Sequence, residues 1–499
     1  MVLRGSAGTG KTTLAAAIVK AMLQLKQKIV LMAPTGRAAK VFSLYAGCPA
    51  YTIHRRIYRQ KTAGDLSAFT LSPNLNRDTL FIIDEASMIA SASLNDTFGS
   101  GSLLDDLVQY VYSGPNCRML LIGDTAQLPP VGEEESPALM LPVLQGYGLI
   151  VHECNLTEVL RQSQQSGILY NATIVREMIT HNEMTQLPQI QLHGFADITV
   201  VPGDELIESL VTSYSRMGID ETIVITRSNK RANIYNEGIR RTVLDRDSEL
   251  CRNDQLMVVK NNYNTPLGPP EGGKKASPDP SKGGEGHAAP TCTSPSPSKG
   301  GENHATPACA SPSPPSERLR VGELCSGMGP GEAVIPPSGG ERGVFNGDRC
   351  VVQRVRNVRE LYGFRFADAT LLFPDYDDAE LTTTVILDTL TSESPALTRE
   401  QQTQLYNKVM EDYADVPYKA DRIKKLKSDP YYNALQIKFG YAVTCHKAQG
   451  GQWSHVYIDQ GYMTDDMLTP DYIHWLYTAL TRATDHVFLV NWPKPQIKA

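Results

Sequence analysis

A phosphate-binding loop limits the fold of this chain more than any other feature of its sequence. Residues 5–13 read GSAGTGKTT, which fits the pattern G-x-x-x-x-G-K-[ST] and places Lys11 and Thr12 after its last glycine. The glycines of such a loop let backbone N–H groups surround phosphates at the N-terminus of a helix. A short apolar strand precedes the loop, and apolar residues recur at helical spacing in residues 14–19. The sequence therefore predicts a strand, a phosphate loop and a helix in succession.

Each part of this loop has a predicted role. Lys11 would pair with the β- and γ-phosphates of a nucleotide, and the Thr12 hydroxyl would bind Mg²⁺. A nucleoside triphosphate with Mg²⁺ is thus the expected ligand. The residues expected to hold the nucleotide are Gly5, Ser6, Ala7, Gly8, Thr9, Gly10, Lys11, Thr12 and Thr13.

An acidic pair follows another apolar strand in the segment FIIDEAS. Asp84 would hold Mg²⁺ through water, and Glu85 is placed to take a proton from an attacking water molecule. A solvated acidic loop after a buried strand is the alternative interpretation. Two acids rather than one favour hydrolysis over phosphoryl transfer to a small molecule.

Two further loops, APTGRAA and GDTAQLPPV, also follow short apolar strands. Gln127 in the second loop can reach a γ-phosphate or the water beside it, and the Pro129-Pro130 pair fixes the loop that carries it. Each segment alone would be an ordinary turn. Together with the phosphate loop they form a specific set.

The alternation of short apolar runs with helical stretches indicates a parallel α/β sheet. The same alternation resumes at Glu221, so a second α/β domain follows the first. Between Thr265 and Gly343 the composition changes to Pro, Gly, Ser and Lys, with near-copies of one repeated unit. Low apolar content predicts disorder there. A functional tether and a neutral repeat expansion both remain open for this segment.

Composition excludes few functions. The chain has 499 residues and a net charge of -6, and it is long enough for two or three domains. The acidic total does not exclude a nucleic-acid binder, because only a groove has to be basic. The nine cysteines form no C-x-x-C pair, so we expect reduced thiols and no structural metal. With no apolar run of about eighteen residues and no secretory leader, we expect a cytoplasmic protein without a membrane span.

Seven segments, taken in order, resemble the motifs of a known family. They are GSAGTGKTT, APTGRAA, TIHRRIY, FIIDEASM, GDTAQLPPV, YAVTCHKAQGGQW and YTALTRA. In this order they resemble the superfamily 1 DNA helicases of the RecD-like and Dda-like branch, which moves 5′ to 3′. The resemblance implies an ATP hydrolase that uses ATP and Mg²⁺ and unwinds DNA in repair or recombination. It also implies single-stranded and tailed duplex DNA as partners. Because both arginine fingers of the family would come from this same chain, we expect a monomer.

The resemblance implies an α/β fold class with two RecA-like parallel-sheet P-loop domains and a small β-barrel-like insertion in the second. The segment FNGDR, from Phe345, resembles the start of that insertion. The predicted boundaries are 1–155 for the first domain with a hairpin insertion at about 55–78, 156–264 and 440–499 for the second, 265–342 for the disordered insert, and 343–439 for the barrel with its helices.

The family's arginine fingers correspond to Arg161 in LTEVLRQ and Arg482 in ALTRA. Both would lie across the cleft from Lys11 and neutralise charge that develops on the γ-phosphate. Surface arginines that cap helices are the alternative. If the finger interpretation holds, ATP binding closes the two domains and hydrolysis releases them.

The resemblance also carries over a set of contacts to single-stranded DNA. Short hydroxyl, imidazole and ammonium groups at loop ends suit contacts to phosphates that do not depend on sequence. The predicted contacts are Pro34, Thr35 and His54 in the first domain and Thr444, His446, Lys447 and Gln449 in the second. Trp453 and Phe69 are candidates for stacking on bases, with burial in a core as the alternative for both.

The segment from Arg55 to Asp78 stands where relatives insert a hairpin that splits the duplex, and residues 63–65 form its predicted turn. Relatives also place a helix and a base-reading glutamine before the phosphate loop, where this chain has no residues. Either translation starts upstream of the given sequence, or the chain is truncated and adenine selectivity and stability are weakened.

Three other functions compete with a DNA helicase. An RNA helicase of the same superfamily shares the motifs, although the GDTAQLPPV loop and the lack of zinc-ligand clusters favour DNA. A DNA-stimulated ATPase that binds DNA without unwinding it is the second. A P-loop metabolite kinase is the third, and two arginine fingers with a second core domain argue against it.

Overall fold

The structure is a computed structural model that describes most of the chain. The described residues are 1–60, 69–91, 99–158, 166–181, 187–262, 344–376, 378–464 and 467–498. Arg161, the predicted turn at 63–65 and the predicted insert 265–342 lie outside the described residues. Within the described ranges, no helix combines the length and the apolar character needed to cross a membrane.

The first domain is a parallel sheet with helices on both faces. Its elements are β1 (Val2–Gly5), α1 (Lys11–Gln24), β2 (Lys28–Ala33), α2 (Gly36–Ala46), β3 (Ala50–Thr52), α3 (Ile53–Ile57), β4 (Tyr58–Gln60), β5 (Phe69–Leu71), β6 (Thr79–Ile83), α4 (Leu103–Ser113), β7 (Arg118–Gly123), α5 (Leu141–Gly146) and β8 (Glu153–Leu156). The six strands run parallel in the order β3-β2-β6-β7-β1-β8.

The strands of this sheet are short apolar runs because both of their faces are buried. Val30 and Phe81 belong to the hydrophobic cluster that includes α4, whereas Ile29 and Ile82 belong to the cluster that includes α1. Alternate side chains therefore anchor opposite helix layers. The loops after β1, β6 and β7 consequently lie at one edge of the sheet, where ligands bind in open α/β folds.

A short hairpin projects from this domain. β4 and β5 pair antiparallel, with Tyr58 opposite Leu71 and Gln60 opposite Phe69. The pair falls inside the predicted hairpin insertion, and the chain between the two strands lies outside the described residues.

The second domain begins with α6 and is interrupted by the barrel. Its first part comprises α6 (Gly167–His181), β9 (Ile190–Gln191), β10 (Ile198–Val201), α7 (Leu206–Arg216), β11 (Thr222–Thr226) and α8 (Asn229–Gly238).

A closed five-stranded barrel follows. It contains β12 (Gln255–Val258), β13 (Arg349–Leu361), β14 (Phe364–Phe373) and β15 (Ala379–Ile386), then α9 (Asp388–Thr391), α10 (Arg399–Glu411) and α11 (Lys419–Ser428), and closes with β16 (Leu435–Phe439). β12 lies between β13 and β16, antiparallel to both. The prediction that placed Gln255–Val258 in the second α/β domain is wrong, because this strand pairs with β13 on one side and with β16 on the other and so closes the barrel.

The two ends of the chain segment between β12 and β13 meet in a β-bridge. Asn262 N donates to Val344 O at 2.7 Å, and Val344 N donates to Asn262 O at 2.9 Å. The residues between them lie in the part of the chain that the structure does not describe.

The chain then returns to the second α/β domain. It adds β17 (Ala442–Thr444), α12 (Cys445–Ala448), β18 (Trp453–Asp459), α13 (Pro470–Leu480), β19 (Ala483–Val490) and β20 (Ile497–Lys498). Five parallel strands form its sheet in the order β10-β19-β18-β11-β17. The predicted fold class, two RecA-like domains with a barrel insertion in the second, is confirmed.

Candidate active site

The phosphate loop occupies residues 6–10, between β1 and α1. Gly8 and Gly10 both have φ of 79°, a left-handed backbone that suits glycine. Lys11 Nζ donates to Gly5 O at 2.6 Å and to Ser6 O at 3.0 Å. The loop is thus folded around an ammonium group at the start of a helix, as phosphate binding requires.

Asp84 and Glu85 follow β6 at the same edge of the sheet. Asp84 is buried, and its Oδ1 accepts a hydrogen bond from Glu85 N at 2.9 Å. Burial and then the Glu85 charge raise the pKa of Asp84 well above its usual range, while Lys11 acts in the opposite direction. A buried carboxyl of this kind near a lysine ammonium fits a bound divalent cation, whose charge would offset the burial.

Glu85 has an uncommon backbone and an unsatisfied side chain. Its φ is 52°, in the left-handed region that non-glycine residues rarely adopt. Its buried Oε2 has no hydrogen-bond partner among the residues that the structure describes. The strained backbone and the unbonded carboxylate oxygen suit a residue that acts as a general base and accepts a proton from water.

The loop after β7 supplies two more polar groups. Gln127 is 4% exposed, and within the described part of the chain its Oε1 has no hydrogen-bond partner. Asp124 Oδ2 lies 3.6 Å from Lys11 Nζ, and Asp124 Oδ1 accepts a hydrogen bond from Ala126 N at 3.0 Å. Sequence reasoning picked Gln127 and missed Asp124, although both belong to the GDTAQLPPV segment.

The second domain reaches the phosphate loop through Tyr477 of α13. The Tyr477 hydroxyl donates to Asp124 Oδ2 at 2.7 Å and accepts from Ala7 N at 2.8 Å. Burial and the Asp124 charge raise the pKa of Tyr477 well above its usual value, so this hydroxyl stays protonated. Tyr477 lies in the YTALTRA segment, but sequence reasoning considered only the arginine there.

A cavity of about 1320 Å³ opens beside the loop, between the two domains. First-domain residues Ser6, Asp124 and Leu139 line one side, and Arg176 and His474 line the other. Its position at the phosphate loop makes it the space in which a nucleotide would fit.

The two predicted arginine fingers have different outcomes. Arg161 lies outside the described residues. Arg482 is 3% exposed, and its guanidinium donates to Thr478 O at 3.1 Å and to Gly451 O at 3.2 Å. In this structure the N–H groups of Arg482 are bonded to carbonyl groups of its own domain. Its side chain therefore does not extend across the cleft.

Two of the predicted DNA-contact segments meet where the domains join. Thr35 caps α2 by accepting a hydrogen bond from Ala38 N at 3.2 Å. A Cβ at Gly450, which follows α12, would lie 3.2 Å from Thr35 Oγ1. Pro34 directly follows β2, and Thr444 is the last residue of β17. The loop ends of both sheets thus contribute to one surface.

The other predicted contacts differ in exposure. His446 is exposed on α12, while the Lys447 ammonium donates to Asn229 Oδ1 at 3.3 Å. Burial lowers the pKa of Lys447 to about 8 and that of His54 to about 4, so His54 is neutral at physiological pH. Gln449 is 5% exposed and donates to Leu128 O at 2.7 Å, so it bridges the two domains in this structure.

The stacking candidates are packed into the protein. Trp453 is 2% exposed and lies under the Arg37 guanidinium, 4.1 Å from the centre of the ring. Phe69 is partly buried against the core of the first domain. Trp453 is therefore a core residue and not a stacking platform, because both of its faces are covered.

Two RecA-like domains, with a phosphate loop on the first and contacts to that loop from the second, define a two-domain P-loop protein. Comparisons with known proteins narrow this class. The profile of the AAA domain family matches residues 1–187, and that of the UvrD-like helicase C-terminal domain matches residues 439–490.

Curated relatives match over parts of the chain. The ATP-dependent DNA helicase dda of Enterobacteria phage T4 is 26% identical over 277 residues, which is 53% of this chain and 57% of that protein. The ATP-dependent RecD2 DNA helicase of Deinococcus radiodurans is 32% identical over 172 residues, 34% of this chain and 21% of that protein. The match thus spans little more than half the length of the first relative and about a fifth of the second.

Solved structures of Pif1 helicases align along the whole chain. Bacteroides Pif1 in complex with ADP-AlF3 and ssDNA is 14% identical with a TM-score of 0.42, covering 100% of this chain and 90% of that one. Candida albicans Pif1 gives a TM-score of 0.40 at 14% identity, covering 100% of this chain and 92% of that one. By its two family profiles and its curated relatives, the chain is similar to superfamily 1 helicases of the Dda/RecD-like group.

Proposed function

We propose that this chain is an ATP-dependent DNA helicase that couples Mg-ATP hydrolysis to 5′ to 3′ movement on single-stranded DNA and to unwinding of tailed duplexes, in repair or recombination. The observation that carries the proposal is the contact between the domains at the phosphate loop. Tyr477 of the second domain bonds both Ala7 N and Asp124. Nucleotide bound beside Ala7 would therefore change how the two domains pack, which is what a motor requires.

The residues at the loop supply the chemistry of hydrolysis. Lys11 would hold the β- and γ-phosphates, and Glu85 would take the proton of the attacking water. Thr12 and Asp84 would hold Mg²⁺, which would neutralise charge on the phosphates when bound. Gln127, whose Oε1 is buried without a partner, would orient the water.

The fingers would act after the domains close. Arg161 and Arg482 are assigned to the γ-phosphate by the resemblance. For Arg482 this requires its guanidinium to leave the carbonyl groups of Thr478 and Gly451, to which it now donates. We infer that closure, rather than nucleotide binding alone, completes the site.

DNA would cross the surface where the two sets of loop ends meet. Pro34, Thr35 and His54 would contact it from the first domain. From the second domain, the proposed contacts are Thr444, His446, Lys447 and Gln449. The β4–β5 hairpin would separate the strands of the duplex.

The first test measures ATP hydrolysis with and without single-stranded DNA. Lys11→Ala should abolish DNA-stimulated hydrolysis. Lys20→Ala is the matched control, because Lys20 is exposed on the same helix and makes no contact with the loop. A wild-type chain that is folded and does not hydrolyse ATP would refute the proposal.

The second test compares duplexes with 5′ or 3′ single-stranded tails. Unwinding of the 5′-tailed duplex alone supports the proposed direction. Hydrolysis stimulated by DNA without unwinding of either duplex would select the DNA-stimulated ATPase instead. Unwinding of RNA in preference to DNA would select the RNA helicase.

A further inference from the structure

Arg176 carries a positive charge from the second domain to the phosphate loop. It lies on α6, and its Nη1 donates to Ser6 Oγ at 2.7 Å. The backbone oxygen of the same serine accepts from Lys11 Nζ at 3.0 Å. Two cations, one from each domain, therefore meet at Ser6, and both Ser6 and Arg176 line the cavity of about 1320 Å³.

The charge of Arg176 is not neutralised by the protein around it. Among the described residues Arg176 makes no ion pair, and its hydrogen bond goes to a neutral hydroxyl. Of the carboxylates that line the same cavity, Asp124 pairs with Lys11 at 3.6 Å, and Glu153 pairs with Arg4 at 2.6 Å. A guanidinium that faces a phosphate loop without a counterion is suited to an oxyanion, because its planar donors match phosphate oxygens.

We propose that Arg176 is a ligand of the terminal phosphate of ATP, in addition to the two predicted fingers. In this structure its guanidinium donates to Ser6, and when ATP binds it transfers to the γ-phosphate. ADP offers no such group, so Arg176 makes the second domain close on ATP more strongly than on ADP. This inference rests on the proposed function and names a residue that distinguishes substrate from product.

The test compares binding of a non-hydrolysable ATP analogue with binding of ADP in the full chain. Arg176→Ala should weaken binding of the analogue by about tenfold or more, since hydrogen bonds to charged groups are among the strongest in proteins. Binding of ADP should change by less than about twofold on the same reasoning. Arg176→Lys should recover part of the loss. Glu177→Ala is the matched control, because Glu177 is the exposed neighbour on the same helix.

Repeating the binding test in a Ser6→Ala variant distinguishes a residue that binds phosphate from a residue that only holds the loop. If Arg176 acts through Ser6 alone, adding Arg176→Ala to a Ser6→Ala variant has no further effect on the analogue. If it binds phosphate, the loss persists in that background. Equal weakening of the analogue and ADP, or no loss with Ser6→Ala present, would overturn the inference. A wild-type chain that binds neither nucleotide would instead refute the proposed function, and the inference with it.

Discussion

Glu85 shows most clearly how a single residue departs from what stability alone would select. It is a non-glycine residue with φ of 52°, and no described residue offers a hydrogen-bond partner to its buried Oε2. Both features cost free energy, of the order of 1–3 kcal/mol each. Strain and an unsatisfied oxygen at one position, directly after Asp84 and beside the phosphate loop, indicate a residue kept for chemistry.

Glu85→Gln tests this interpretation. The amide keeps the size of the side chain but cannot accept a proton, so kcat for ATP should fall by about 10² or more, while KM changes little. Steady-state hydrolysis with saturating single-stranded DNA measures both values. Glu135→Gln, an exposed acid on the wall of the same cavity, should leave kcat nearly unchanged. A Glu85→Gln protein with kcat close to wild type would remove Glu85 from the catalytic step.

At the level of elements, helix α2 is tied to the segment that follows α12. Arg37 of α2 donates to Gln452 O at 2.6 Å and lies 4.1 Å from the centre of the Trp453 ring. Burial, and then Arg349, lowers the pKa of Arg37 to about 9, so it remains charged at neutral pH. Gly451, in the same segment, accepts the hydrogen bond of Arg482. The helix that follows the predicted DNA contacts Pro34 and Thr35 is thus connected to the predicted finger of the other domain.

Arg37→Ala should weaken this connection. Removing the cation–π contact and the hydrogen bond costs about 1–2 kcal/mol of contact between the domains. We expect the stimulation of ATP hydrolysis by single-stranded DNA to fall several-fold, with little change in hydrolysis without DNA. Titration of DNA into the ATPase assay measures this. The Trp453→Phe variant keeps a weaker aromatic face. Its stimulation by single-stranded DNA should therefore lie between that of wild type and that of Arg37→Ala. Unchanged stimulation in both variants would show that the contact only stabilises the fold.

The elements also show what sequence reasoning can and cannot reach. The strands around the phosphate loop were predicted because fully buried parallel strands are continuous apolar runs. β12 was misplaced because its partner β16 lies far along the chain, and a local pattern does not show which sheet a strand joins. Tyr477 and Arg176 were missed for a related reason: their contacts depend on how the two domains face each other. The burial of Trp453 likewise depends on Arg37 of the other domain.

In the whole molecule, the barrel is joined to the first domain around one buried carboxyl. Asp348 Oδ2 accepts hydrogen bonds from Phe345 N at 2.7 Å and from the Tyr376 hydroxyl at 2.9 Å. Its Oδ1 is buried, has no hydrogen-bond partner in the described ranges, and packs against Gly36 at the start of α2, where a Cβ would collide with it. Burial raises the pKa of Asp348 to about 7, although Arg55 acts in the opposite direction.

This carboxyl makes stability depend on pH. An unfolded aspartate titrates near pH 4, as a rough reference, whereas folded Asp348 titrates at about 7. Between these values the folded chain binds more protons than the unfolded chain. The free energy of unfolding should therefore fall as pH rises from about 4 to about 7, and this contribution should level off above.

Urea unfolding of wild type and Asp348→Asn across this range checks the prediction. The amide has no charge to bury, so the variant should lose part of the slope and gain stability relative to wild type as pH rises. Parallel slopes in the two proteins would show that Asp348 does not titrate in this range.

The β-bridge between Asn262 and Val344 leads to a prediction for the segment that it encloses. Because the two ends are hydrogen-bonded to each other, a turn of about two to five residues can join them. A chain with residues 263–343 replaced by such a turn should fold and keep the DNA-stimulated ATPase of wild type. Hydrolysis and thermal unfolding of the shortened chain measure this. A shortened chain that loses its DNA-stimulated ATPase or its thermal stability would show that the segment supports the barrel.

The same bridge has a practical use. Its two ends leave the barrel side by side, so a fluorescent protein whose own termini are adjacent could be spliced between them without pulling β12 and β13 apart. The reporter would then travel with the barrel, and energy transfer to a dye on the first domain could follow the opening and closing of the cleft one molecule at a time.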